Sequence, residues 1–182
     1  MKLLPLLAAA TVLCANLAVA QDAAKPAAKA PASNAMAGAA MANPSPQQFA
    51  TTAGVSNLFE IASSKVALSK AQNADVKTFA QRMIDDHTKA GNEMVMAAKS
   101  DGVAPPAHLN QTNQSKLDRL NRLTGNAFDK AYAAAQVQAH ADAVALFQAY
   151  ATKGKDGSLK HFAAMTLPTL QMHYSMAQKL VQ

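Results

Sequence analysis

The chain has 182 residues with one cysteine, no tryptophan, 15% charged residues and a formal net charge of +6. Its cations are scattered, from Lys65, Lys70 and Lys77 through Arg119, Arg122 and Lys130. No basic patch with interleaved aromatics forms, which excludes nucleic acid as a partner and leaves at most weak association with anionic envelope surfaces.

Residues 1–20 read as a secretory signal. Lys2 supplies the positive start, Leu3 to Leu17 the apolar core, and Ala18-Val19-Ala20 a small-x-small cleavage site. Pro5 and Asn16 interrupt the apolar stretch, and it falls short of the roughly 20 residues that span a bilayer. Leu13 precedes Cys14 where lipidation needs a small residue. Cleavage after Ala20 removes Lys2 and Cys14, leaving a net charge of +5 (6 − 1). Disulfides, thiolate metal sites and cysteine nucleophiles are then excluded from the mature chain. The expected location is the bacterial periplasm or the periplasmic side of the outer membrane.

Residues 21–46 are rich in Ala and small polar residues, with Pro26, Pro31, Pro44 and Pro46 and no large aliphatic or aromatic residue, and are expected to form a disordered tether.

 

The only larger apolar side chains in that stretch are Met36 and Met41. From Gln47 onward about 136 residues remain, enough for one domain with one core.

The pattern from there is helical throughout, with no alternating strand and no internal repeat. A first helix is predicted over about 46–71, with Pro46 in its first turn, where the missing N–H is no loss. Asn73 caps a second helix over about 74–101, Asp75 suits its positive end, and Gly102 terminates it. Residues 103–124 form a long connection. Pro105 and Pro106 break it early, and 110–123 can form a short amphipathic helix. Its length suits a crossover along a bundle. Thr124 is expected to cap a third long helix over about 125–152. The segment from Lys153 to Gly157 is a turn. A fourth long helix covers about 158–180, kinked by Pro168 or divided at Thr166.

Placed at about 100° per residue, Glu60, His87, His140 and His173 fall on the faces that these four helices should bury. His87 shares its face with Val76, Ala80, Met83, Ala90 and Met94. Small residues around Glu60, among them Ala53, Ser56 and Ser64, leave room for a polar group. His108 and His161 lie elsewhere. Buried polar groups need partners. Three imidazoles and a carboxylate are a competent ligand set for one ion of zinc, iron, manganese or copper. Asp86 and Asp142 flank the set as acceptors for a ring N–H. The same four residues can instead form a buried Glu–His hydrogen-bonded network in a structural or interaction module. A mononuclear metal oxidoreductase is a third reading. The helically spaced methionines read as core filler. No arrangement suited to nucleophilic catalysis and no glycine-rich phosphate loop is present.

Several strings carry a resemblance: Phe79 to His87 (FAQRMIDDH), Leu123 to Tyr132 (LTGNAFDKAY), Gln138-Ala139-His140, and Thr166 to Leu170 followed by His173. Together they resemble the bacterial family called domain of unknown function 4142, often labelled a predicted outer-membrane protein. The resemblance covers about residues 47–182. It implies an all-α fold, a ferritin-like four-helix bundle behind a signal peptide, and no established activity. Di-iron members of that fold supply Glu from two helices and Glu-x-x-His from the other two. Here Ile84, Val137 and Leu170 stand three residues before the histidines, so the carboxylate-rich dinuclear pattern is absent.

Overall fold

The computed structural model describes residues 44–181. The expected signal and nearly all of the expected tether lie outside them. Among the described residues there are five α-helices and no strand: α1 Pro46–Lys70, α2 Ala74–Ser100, α3 Gln111–Asn121, α4 Gly125–Lys153 and α5 Ser158–Leu180. None is long and apolar enough to cross a membrane.

Local chemistry sets the helix ends. Ser45 and Gln48 form a reciprocal capping box ahead of α1, with Pro46 in its first turn. Asn73 Oδ1 accepts the Asp75 N–H at 2.7 Å to start α2. Gly102, at φ +73°, ends α2. There the Val103 N–H bonds the Ala98 carbonyl at 2.9 Å and the Gly102 N–H bonds Lys99 at 3.2 Å. This closes the last turn in the left-handed conformation that glycine adopts without strain. Two expectations are corrected. Thr124 occupies the cap position of α4, but its side chain makes no capping bond, and the chain enters through Gly125 at φ +60°. Pro168 does not divide the last helix, which runs unbroken from Ser158 to Leu180. Ala164, whose carbonyl loses its partner to the proline, is exposed, so water can satisfy it.

Helix α1 packs against α2 and α4, and α5 packs against α4 and α2, so the four long helices form a closed ring of neighbours. Helix α3 lies against α1 and barely touches α4. Contacts at both ends give the direction of each helix. Near the start of α1, Gln47 Nε2 donates to the Ala104 carbonyl just beyond α2 at 2.9 Å. At the far end of α1, Lys70 donates to the carbonyls of Asn121, the last residue of α3, and Leu123 just beyond it. The chain therefore runs up α1, down α2, back up through α3, down α4 and up α5. Carboxylates join the ends. Asp129 accepts the Gln72 and Asn73 N–H groups, the latter at 2.9 Å. Asp101 accepts those of Ser158 and Leu159 at 2.8 and 2.9 Å, capping α5 from the end of α2.

The apolar core is in two parts. The lower gathers Phe49, Met94, Leu146, Phe147, Tyr150, Leu159 and Phe162. The upper gathers Phe59, Val76, Phe79, Met83, Phe128 and Tyr132. His87 stands between Met83 above and Met94 below along α2, and His173 between Leu170 below and Ala177 above along α5. The histidines form a polar layer between the two apolar halves.

Candidate functional site

Helices α2, α4 and α5 each contribute one imidazole to this layer. His87, His140 and His173 are 7%, 1% and 1% exposed. Their ring centroids form a near-equilateral triangle with sides of 5.5, 5.5 and 5.7 Å. Each ring offers one nitrogen within 4.8 Å of those of the other two.

The hydrogen bonds fix each tautomer. His140 Nδ1 lies 2.9 Å from the Gln136 carbonyl, a pure acceptor, so Nδ1 carries the proton. His173 Nε2 donates to Asp86 Oδ2 at 2.8 Å. His87 Nδ1 donates to the amide oxygen of Asn57 on α1 at 3.0 Å. Each ring thus spends its one N–H on a different acceptor. The opposite nitrogens, His87 Nε2, His140 Nε2 and His173 Nδ1, are buried without a partner. Such a buried, unpaired acceptor costs about 1–3 kcal/mol. Burial also holds the rings neutral. It pushes His140 down to about 4, against the opposing pull of its bond to Gln136. It pushes His87 well below the ordinary imidazole value, helped by the other two rings. His173 is lowered by burial too, though the Asp86 carboxylate opposes this. Neutral rings keep their lone pairs, which is the state a metal ligand needs.

Glu60 is buried but does not join the three rings; no carboxylate does among the described residues. The reason is helix register. Helix α1 presents Asn57 at the level of the histidines. Glu60 is one turn further up α1, where the antiparallel α4 presents Gln136, one turn before His140. Neither Glu60 oxygen nor Gln136 Oε1 has a hydrogen-bond partner, while Gln136 Nε2 donates to Ser63 Oγ at 3.3 Å. Burial raises the Glu60 carboxyl to about 8, with smaller lowering effects from the nearby Gln136 amide and the Lys116 charge.

The flanking acids divide. Asp86 meets His173 while also pairing with Arg82 at 3.4 Å. Asp142 is exposed and accepts from Gln138 at 2.9 Å, so its bond is made on the outer side of α4 and not with a ring. His108 and His161 are exposed.

A family model described as a domain of unknown function (DUF4142) matches residues 30–180, most of the chain. The chain belongs to the DUF4142 family. No curated protein and no solved structure matches it. The match begins inside the stretch expected to be a tether. In this DUF4142 chain, sequence reasoning passes over Asn57 and Gln136, the two α1 and α4 residues that orient His87 and His140. One signal for Asn57 is Gly91 on the facing helix. A Cβ at Gly91 would lie 2.7 Å from Asn57 Nδ2, so glycine makes the room that the amide occupies.

Proposed function

We propose that this protein is an exported envelope protein that holds one transition-metal ion on His87, His140 and His173, inside a ferritin-like four-helix bundle. The observation that carries this reading is the set of three unpaired, buried ring nitrogens, each opposite an N–H already donated to the protein. Metal-binding histidines use that arrangement: the second nitrogen bonds a carboxylate, a carbonyl or another fixed acceptor, which sets the tautomer and aims the lone pair. Asp86, the Gln136 carbonyl and Asn57 are those acceptors here. The up-down-down-up order of the long helices, with α3 in the crossover, supports the ferritin-like assignment.

Donor chemistry narrows the ion. Neutral imidazoles without thiolates or direct carboxylates suit zinc, copper and iron better than manganese, which favours oxygen. At about 2.0–2.1 Å per bond, tetrahedral ligation sets nitrogens roughly 3.4 Å apart. Nitrogens separated by up to 4.8 Å reach that spacing by small inward swings of the rings. Glu60, one turn away, supplies charge compensation when it ionises. A purely structural network would pair its members, whereas each of the three rings retains an unpaired acceptor nitrogen, and what the rings lack in common is a cation or a donor. A bound metal would act as a Lewis acid toward any further ligand. The layer is closed above and below by apolar clusters, which favours a binding role over turnover.

The test is the metal content of tag-free protein purified from periplasm, by mass spectrometry of metals. One ion per chain is expected, and its loss from a His87→Ala, His173→Ala variant that keeps its helical circular-dichroism signal. Wild type that stays metal-free after incubation with zinc, copper, iron and manganese overturns the proposal and leaves a structural polar core.

A further inference from the structure

A second feature lies on the outer side of the helices. A groove of about 600 Å³ runs between α1, α3 and α4. It exists because α3 leans on α1 and barely touches α4. Its floor on α4 includes Ala131, Ala135, Ala139 and Ala143, at successive turns, and ends at Leu146. Larger side chains there would fill it. Phe59 and Leu120 wall its upper part. From Ala131 to Leu146 the floor is about 22 Å long at ~1.5 Å per residue, a slot rather than a round pocket. Its volume lies within the roughly 300–1,000 Å³ of small-molecule sites, which are mostly apolar with a few placed polar groups.

The two cationic groups are placed on one rim. Lys116 and Arg119 line the groove from the same face of α3. Both are exposed, and neither side chain makes a hydrogen bond or ion pair among the described residues. Asp118, between them in sequence, is engaged by Gln114 at 2.8 Å. The one acid that lines the groove, Asp142, accepts from Gln138.

We infer that this groove binds a free long-chain fatty acid, with its acyl chain along the alanine floor and its carboxylate on Lys116 and Arg119. Charge complementarity selects the occupant. A neutral ligand would leave both cations idle, whereas a carboxylate gains charge-assisted bonds, bidentate to the guanidinium. A second copy of this chain would bring further net positive charge to a cationic rim. The narrow slot suits one extended chain rather than a two-chain lipid.

The experiment uses the protein as purified, displacing dansyl-undecanoate with palmitate. It has no tryptophan, so the dansyl signal is read without one. One saturable site per chain is expected. Palmitate should bind at least tenfold more weakly to a Lys116→Glu, Arg119→Glu variant, and to Ala135→Phe, which plugs the floor away from the histidines. Hexadecanol should displace at least tenfold more weakly than palmitate. The charge reversal is on exposed residues, so it keeps the test decisive if the plugged variant misfolds. Equal binding by wild type and the charge-reversed variant, or no saturable binding, overturns the inference. Tighter binding of lysophosphatidic acid than of palmitate overturns the choice of carboxylate.

Discussion

Replacing Glu60 with Gln isolates one proton in the core. In the folded chain Glu60 titrates at about 8, against 4.5 for the ordinary carboxyl. Between those values the folded state holds a proton that the unfolded state has lost, so stability falls as pH rises. At ~1.36 kcal/mol per pH unit, the whole gap is worth roughly 5 kcal/mol. His140 has the opposite sign. Its value drops from 6.5 to about 4, so its contribution is intact above pH 6.5 and is lost as pH falls toward 4. That loss is roughly 3 kcal/mol, and His87 and His173 are lowered in the same direction. From about pH 4.5 to 6.5 the two effects oppose each other. Above pH 6.5 the histidine contribution fades as the unfolded imidazoles lose their protons, and it is common to wild type and variant, so the difference between the two proteins reads Glu60 alone. Between pH 6.5 and 8 it should remove about 2 kcal/mol. Glu60→Gln keeps the shape and has no proton to lose. Urea unfolding followed by helical circular dichroism, with a chelator present, measures both proteins at pH 6.5 and 8. Wild type should lose about 2 kcal/mol more than the variant over that interval. An identical pH dependence in the two would refute the buried, protonated Glu60.

Three further outcomes follow from individual contacts. Asp86→Asn weakens the acceptor on His173 Nε2 and should lower metal affinity by about 10–100-fold. Competition with a chelator reads this, and unchanged affinity would remove Asp86 from the site. Gly91→Ala drives a Cβ to 2.7 Å from Asn57 Nδ2, the end of a side chain that can move. Metal affinity should fall as His87 loses its fixed acceptor, while thermal unfolding changes little; a large drop in stability with intact affinity would contradict this. Asp101→Ala frees two N–H groups at the start of α5 and should cost about 0.5–2 kcal/mol in urea unfolding. A cost near zero would show that water caps that end equally well.

The helices were legible because their signals are local. Pro46, Asn73, Asp75 and Gly102 mark ends through the geometry of a single turn, and the structure places them there. Thr124 misled because a capping residue type is only permissive: the chain turns through Gly125, and the hydroxyl makes no capping bond. Of the two outcomes open at Pro168, division does not occur, because the carbonyl that the proline strands, on exposed Ala164, can reach water.

The candidate site divides along the same line. Periodicity alone was enough to place Glu60, His87, His140 and His173 on buried faces, since helical spacing decides which side of a helix is apolar. It carried no information on relative height, because the stagger between two helices is set by their loops and packing rather than by either helix's own residues. Tertiary structure alone decided that three histidines meet while Glu60 stands one turn away beside Gln136. It also decided that Asn57 serves His87, and that Asp86, not Asp142, reaches a ring. A turn of about 5.4 Å separates a ligand from a neighbour, and only the packed arrangement of all the helices specifies that distance.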